Sequence, residues 1–357
     1  MEQRLIDWLN GDIPAMGPKS VAVVLTNACN LNCVTCWSYS PLLLSTKPSV
    51  HWKRQHLSYE LLVRLFEQLR ELQTERVVLT GGGDPLAYPN FENVIHQIHQ
   101  NNLKTTLISN LSLVRNIDTF QSLQIDTILA NCSAVDVKSY VAFHPNQKPA
   151  DYEKFMSILQ RVSLTTKTLK LVFVVCRINA HLLEKFIRFA ADIRAEVQFK
   201  LMSISGETQG VSITESMRIN LLQEIPTLVE IAKALHLRTN LETLRVSLLG
   251  HDPTSFPIEK VGCSVGYFYA RITASGDVLF CCNPDKTLKI GSLSEHSLVE
   301  LWNGKKWQQL RHQFFQKQFV KGCERCGKFD LNVSNFQKVT LEKADTLLAG
   351  SPDNAPY

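Results

Sequence analysis

The chain has 357 residues with 45% apolar content, enough for one large domain plus an appendage and a buried core. Its net charge of +5 is mild and its basic residues are scattered, which argues against a nucleic-acid or membrane-surface partner. No apolar run approaches the roughly 18 residues of a membrane span, and no secretory signal opens the chain, so a soluble cytoplasmic protein is expected.

Residues 1–8 read as a short amphipathic helix. From residue 21 to about 235, an apolar strand followed by an amphipathic helix recurs six times. The predicted strands are residues 21–25, 77–80, 105–108, 127–130, 169–175 and 197–202. The first helix follows Ser58, a plausible N-cap, and carries Leu61, Leu62, Leu65, Phe66, Leu69 and Leu72 at helical spacing. The next presents Phe91, Val94, Ile95 and Ile98, and a weaker one covers residues 114–123. Then come Tyr152, Phe155, Ile158, Leu159 and Val162 on a fourth, and Leu182, Leu183, Phe186 and Ile187 on a fifth. A longer helix after Thr214 contains Pro226, a potential kink.

Alternating strands and helices imply a parallel sheet with helices outside. Six units are too few for a closed eight-fold barrel, so the expectation is α/β, a partial (β/α)6 TIM-like barrel, with a doubly wound open sheet as the alternative. Either places its chemistry at the C-terminal ends of the strands. The long connection of residues 37–57, with Pro41, Pro48 and two tryptophans, is a candidate lid over that end; a passive insertion is the plain alternative. Beyond residue 240 the pattern changes to turn signals (Pro253, Pro257, Gly276-Asp277, Pro284-Asp285), short β-prone runs, a helix near 298–315 and a cysteine turn. The expected division is an N-terminal extension (1–20), the barrel (21–240), a small metal-stabilised domain (241–332) and a tail (333–357).

The ten cysteines do not read as disulfide partners in a chain of this size without a secretory signal. Three form one group, Cys29, Cys33 and Cys36, and five form another, Cys263, Cys281, Cys282, Cys323 and Cys326. Cys132 and Cys176 read as buried hydrophobes. The first group follows directly on the first strand, so its three thiols share one loop at the active end of the barrel. Thiolates suit iron–sulfur clusters, and three ligands to a four-iron cluster leave one iron open to a small chelating ligand. Zinc or simple burial is the alternative for the group.

The C-x3-C-x2-C spacing of Cys29, Cys33 and Cys36 resembles the signature of the radical S-adenosylmethionine (SAM) superfamily. The resemblance implies that these cysteines hold a [4Fe–4S] cluster whose open iron binds SAM. It further implies that SAM is reductively cleaved to a 5′-deoxyadenosyl radical that takes a hydrogen atom from substrate. Relatives commonly carry an aromatic residue before the third cysteine; here that residue is Thr35, and Trp37 is the candidate cover instead. After the second strand, Gly82, Gly83, Asp84 and Pro85 resemble the superfamily's Gly-Gly-Glu-Pro motif, which binds the amino group of SAM. Asp in place of Glu shortens the reach and shifts part of the work to a backbone carbonyl. The same resemblance makes Ser109 and Asn110, Asn131 with Cys132 and Ser133, and Arg177 with Asn179 candidates for contacts to SAM. Each of these is also an ordinary polar residue at a strand end. His144-Pro145 matches a recurring feature of the fourth connection, without a derived role.

On spacing alone, Cys263, Cys281, Cys323 and Cys326 would serve a zinc ribbon or an iron–sulfur cluster equally. The run Ile290-Gly291-Ser292-Leu293, then Leu301-Trp302-Asn303 and residues 306–310, resembles the SPASM/twitch extension behind many radical SAM barrels. That implies a small C-terminal α+β twitch-like iron–sulfur domain in which those four cysteines hold a second, auxiliary [4Fe–4S] cluster. Cys282 is a neighbour that could stand in for Cys281.

The family layout points to modification of a peptide or natural-product precursor. A small-molecule dehydrogenase or epimerase of aminocyclitol or sugar-like substrates is the alternative, with Cys282 or Cys132 as a radical-quenching thiol. A non-catalytic iron–sulfur electron carrier is the third reading, though a carrier has no use for an amine clamp. Only about 20 residues precede the first strand, so a peptide substrate would need a separate recognition protein, or none. An external one-electron donor such as flavodoxin or ferredoxin is implied as well.

Overall fold

The computed structural model describes residues 2–204, 206–249, 257–283 and 285–349. The turn signals at Pro253 and Pro284 lie outside the described residues, as does the chain from residue 350 onward. Six strands form in sequence order: β1 (Ser20–Val24), β2 (Arg76–Thr80), β3 (Lys104–Ser109), β4 (Thr127–Asn131), β5 (Thr168–Val175) and β6 (Glu196–Leu201). Each pairs in parallel with the one before it. The order never reverses, so there is no switch point of a doubly wound sheet. Right-handed crossovers stepping in one direction put every helix on one face and leave the other face as a lumen. This is a partial (β/α)6 barrel.

The helices form where the apolar spacing places them. Ser58 caps the helix Tyr59–Glu71 by accepting from the Leu61 amide, and that helix buries Leu62, Leu65, Phe66 and Leu69 against the sheet. Asn116 does the same for the short helix Ile117–Ser122. Thr214 caps Glu215–Ala234, which carries Pro226 inside it and still buries Leu221, Ile225, Leu228 and Ala232. A helix over Val137–Phe143, absent from the sequence reading, lies between β4 and the expected helix Pro149–Ser163. Strand alternation sorts the faces. In β2, Val77 and Leu79 are buried under the helices, while Arg76, Val78 and Thr80 turn the other way.

The C-terminal region, expected as a small metal-stabilised second domain, shares the sheet of the barrel. Strand β7 (Tyr269–Ile272) pairs in parallel with the free side of β1, and β8 (Asp277–Leu279) and β9 (Lys289–Ser292) continue antiparallel. All nine strands form one sheet, ordered β6-β5-β4-β3-β2-β1-β7-β8-β9. An uncovered β1 would expose an unpaired edge in the middle of the fold; β7 supplies its partner. The helices Leu298–Asn303 and Lys305–Phe315 pack behind through Trp302, Trp307 and Phe314. Arg311, 2% exposed, is held among them by the Gly266 and Trp302 carbonyls.

The expected boundary at residue 332 falls inside a helix, Phe329–Ala349. That helix is tied down. The buried Asn332 side chain accepts from the amide and hydroxyl of Ser264, and Asn335 donates to the same hydroxyl. Val339 packs with Leu5 and Trp8 of the N-terminal helix Gln3–Asn10 and with Tyr267 and Phe268. Among the described residues, no helix is long and apolar enough to cross a membrane.

Candidate functional site

Strand β1 runs straight into the loop that carries Cys29, Cys33 and Cys36. The loop after β2 lies directly against it. The Asp84 amide donates to the Ala28 carbonyl at 2.8 Å and that of Gly83 to the Thr26 carbonyl at 3.4 Å. A Cβ on Gly83 would sit 1.9 Å from the Ala28 oxygen, so only glycine allows the approach. Tyr39 folds back to donate its hydroxyl to the Asn27 carbonyl at 2.6 Å, and Ser40 donates to the Val34 carbonyl at 2.7 Å.

The three sulfurs face polar N–H groups. The amides of Ser38 and Tyr39 point at Cys36 Sγ (3.4 and 3.3 Å), and that of Leu31 at Cys29 Sγ (3.5 Å). The Asn110 amide nitrogen lies 3.9 Å from Cys29 Sγ, and His144 Nδ1 lies 3.2 Å from Cys33 Sγ. None of the three cysteines is in a disulfide. Burial pushes the Cys29 thiol up to about 12, helped by repulsion from Asp84 and Cys36. Cys33 is raised by the same causes, burial first and then its two neighbours. Three thiolates this close repel one another unless a cationic body is bound among them. The donor set therefore fits an iron–sulfur cluster held by Cys29, Cys33 and Cys36.

Several residues expected to contact SAM are engaged within the protein. The Asp84 side chain, 3% exposed, is turned into the protein. Its carboxylate accepts from the Ser109 hydroxyl at 3.0 Å and from the amides of Asn110 and Leu86 at 2.8 and 2.9 Å. Burial raises its pKa against these three donors. It is thus a brace between the β2 and β3 loops, and an ammonium group at this motif would meet the backbone of residues 81–83. Ser109 is spent on the same brace, and its oxygen also accepts from the Leu111 amide. Asn110 keeps its nitrogen toward Cys29 and Asn30 while its oxygen accepts from Ser112.

Asn179 is fully buried, with its side chain bonded to the Cys176 amide and the Ser133 and Val174 carbonyls. It locks the ends of β4 and β5 together. Asn131 accepts from the Ser133 hydroxyl and stays half-buried at its strand end. Trp37, the candidate cover, is 59% exposed and packs edge-on against Trp52. The aromatic that folds over the cysteine loop is Tyr39.

The connection of residues 37–57 is pinned at two points. His56 bridges Thr26, and the hydroxyls and amides of Ser45 and Thr46 all donate to the Glu207 carboxylate in the loop after β6. It therefore reaches from the β1 side of the mouth to the β6 side. Sequence reasoning missed Glu207 and gave His144 no role. Neither carries a local signal, because each acts on residues more than a hundred positions away.

Cys263, Cys281, Cys282, Cys323 and Cys326 line one cavity of about 570 Å³ with Asn283, Gly327 and Lys328. Among the described residues, no three Cys, His, Asp or Glu side chains converge on a point suited to a single metal ion. Cys263 is held well above the ordinary thiol range by burial and then by Cys281, Cys326 and Cys323. Cys282 adjoins Lys328 and Tyr269 as well as Cys281 and Cys326. The Asn283 amide nitrogen lies 3.9 Å from Cys323 Sγ, and that of Asn332 lies 3.8 Å from Cys326 Sγ. Residue 332 thus belongs to this site's surroundings.

Two family models match. The radical SAM superfamily covers residues 23–190 and an iron–sulfur cluster-binding domain, SPASM, covers 263–327, which includes all five cysteines of the second group. The second match decides for iron–sulfur over zinc there, and the cofactors implied are a [4Fe–4S] cluster with SAM and auxiliary iron–sulfur. Among curated proteins, GTP 3′,8-cyclase of Actinobacillus pleuropneumoniae is 26% identical over 194 residues, 51% of this chain and 52% of the cyclase. The chain thus spans about half the length of that relative. The sporulation killing factor maturation protein SkfB of Bacillus subtilis is 22% identical over 340 residues, 92% of this chain and 75% of SkfB. In fold, the chain is similar to Streptococcus suis SuiB. Bound to S-adenosylmethionine, SuiB matches at TM-score 0.63 and 15% identity, covering 86% of this chain and 70% of SuiB. Bound to the precursor peptide SuiA, it matches at TM-score 0.62, 16% identity and the same coverage. The chain belongs to the radical SAM superfamily and carries a C-terminal iron–sulfur SPASM-type domain on the same sheet as its barrel.

Proposed function

We propose that this chain is an enzyme that abstracts a hydrogen atom from a peptide substrate and so modifies it. The observation that carries the reading is the shared sheet. The Cys29–Cys33–Cys36 loop leaves the C-terminal end of β1, and Cys281, just past β8, is level with Tyr269 and Ser20 toward the other end of the same strands. A substrate in the lumen would therefore lie between the two sites. The cofactors, when bound, supply a one-electron source and a carbon radical.

The chain's own residues do the rest. Gly83 brings the β2 loop onto the cysteine loop, and the backbone of residues 81–83 is placed to hold an ammonium group. Asp84 keeps Ser109 and Asn110 in position and leaves the Asn110 amide nitrogen facing Cys29. The connection of residues 37–57, latched on Glu207, covers the mouth and limits water around a reactive radical. The peptide assignment draws support from SkfB, which aligns over nearly the whole chain, and from the fold shared with SuiB in its peptide complex. The electron comes from an external donor of the flavodoxin or ferredoxin kind.

The test is anaerobic reconstitution with iron and sulfide, then reduction with dithionite in the presence of SAM. Release of 5′-deoxyadenosine that disappears in Cys33→Ala is the expected result. A mass change in a short peptide encoded beside this gene would secure the substrate. Release that persists in Cys33→Ala, or turnover only with a small molecule, would overturn the proposal.

A further inference from the structure

Strand β6 is one edge of the sheet, and β7 lies beyond β1 at the other side of the barrel. Each carries a cation on its lumen side. On β6, Val197 and Phe199 are buried under the helices, so Lys200 points the other way, in register with Val174 of β5. On β7, Ala270 and Ile272 are fully buried and Arg271 takes the opposite face, level with Ala22 of β1. A third cation arrives from behind: the Lys328 ammonium lies 4.2 Å from the centre of the Tyr269 ring. Lys200, Arg271, Cys282 and Cys326 all act electrostatically on Lys328, so the three cations share one neighbourhood beside the second cysteine cavity.

Among the described residues, none of the three cations forms an ion pair with a carboxylate, although Asp285 and Glu324 line the same cavity as Lys328. The Nε of Arg271 is buried with no hydrogen-bond partner. Elsewhere on the barrel, lumen-side cations are matched: Lys170 pairs with Glu196 at 3.0 Å, and Arg76 donates to the hydroxyls of Thr106 and Thr127. Like charges gathered in a partly enclosed space repel and raise the local potential for an anion. A guanidinium with a free edge suits a planar two-oxygen acceptor. Lys328, beside Cys282 and Cys326, could answer the negative charge of a bound cluster. Lys200 and Arg271 come from β6 and β7 and call for another anion.

We propose that Lys200, Arg271 and Lys328 form an anion subsite on the lumen wall, between the two cysteine sites, that takes a carboxylate of the substrate. The assignment to a carboxylate rests on the peptide reading above, because an unmodified peptide carries no other anionic group near neutral pH. The subsite would anchor an Asp or Glu side chain or the C-terminus and so select which residue of the peptide reaches the radical.

The experiment is anaerobic calorimetric titration of the fully reconstituted protein with hexaglutamate, hexaglutamine and GTP as probes, with no turnover. Hexaglutamate should bind at least tenfold more tightly than hexaglutamine. Arg271→Gln and, independently, the exposed Lys200→Gln should each remove most of that difference, while Lys305→Gln on a distant helix should not. Iron content and the electron paramagnetic resonance spectra of both clusters should stay as in the parent. Equal binding of the two peptides would overturn the proposal. So would an effect of the variants on the second cluster with binding unchanged, since the cations would then only balance cluster charge. GTP that binds more tightly than hexaglutamate and depends on the same two residues would overturn the carboxylate assignment. Failure to release 5′-deoxyadenosine would count against the enzyme reading and leave these titrations interpretable.

Discussion

Nδ1 of His144 lies 3.2 Å from Sγ of Cys33, joining the fourth connection of the barrel to the cysteine loop of the first. The imidazole is 3% exposed, and burial holds its pKa down at about 4. It is therefore neutral at pH 7, and its N–H can be directed at the sulfur. Hydrogen bonds to cluster sulfurs stabilise the more negative, reduced state. His144→Phe should make the first cluster harder to reduce, seen as a more negative midpoint in a redox titration followed by electron paramagnetic resonance. An unchanged midpoint would mean that the contact has no electronic effect.

The same histidine predicts a pH dependence of the cluster-free protein. Its folded pKa is depressed below the ordinary value of 6.5. Its stabilising contribution is complete above the unfolded pKa and is lost as pH falls from about 6.5 toward about 4, at up to about 1.4 kcal/mol per pH unit. Urea denaturation at pH 7 and pH 5 should show this loss in the parent and a smaller one in His144→Phe.

Asp84 braces two loops with three hydrogen bonds in a fully buried position. Asp84→Ala would leave the Ser109 hydroxyl and the Asn110 amide without their acceptor, at a cost of about 2–4 kcal/mol. Because Asn110 faces Cys29, SAM binding should weaken together with stability. Denaturation and equilibrium dialysis of SAM measure the two, and loss of stability without weaker SAM binding would separate the brace from the site.

The Glu207 latch reads out in exchange rates. Four donors from Ser45 and Thr46 hold its carboxylate down at about 2, the Ser45 amide first among them. The latch is therefore fully formed above the ordinary carboxylate range and opens as pH falls toward 2. Glu207→Gln should speed hydrogen exchange at the Ser45 and Thr46 amides severalfold at pH 7, with little effect on the barrel helices. Equal rates in variant and parent would show that the connection is held by other contacts.

Of the adjacent pair in the second site, Cys281 neighbours Cys263, Cys323 and Cys326, whereas Cys282 neighbours Cys326 and Lys328. Cys281→Ser should lower bound iron by about four atoms, while Cys282→Ser should keep it. In the Cys29, Cys33 and Cys36 triple Ala variant, about four iron atoms should remain at the second site. Iron analysis after anaerobic reconstitution decides each case.

The strands and helices of the barrel were legible because apolar residues at periods of 2 and 3.6 report burial directly, as Val77 with Leu79 and Leu62 with Leu65 do. The short helix Val137–Phe143 was missed because only Ser139, Tyr140 and Phe143 of its seven residues are buried, too few for a clear period. Both cysteine groups were visible in the chain itself, since ligand spacing within a loop is a local property.

Roles that depend on what a side chain meets were not. Asp84 and Asn179 occupy positions where a ligand contact was expected, yet both spend their polar atoms on the backbone and side chains of neighbouring strand ends. The joining of β7 to β1 depends on a register between residues some 250 positions apart, for which no short window carries a signal. The sequence by itself determined the fold class and the cysteine loop, because those follow from local periodicity and spacing, and the family chemistry came with the resemblance of its motifs. Only the tertiary structure decided which cysteines, cations and histidine face one another, because those contacts arise when strands distant in the chain curl around a common lumen.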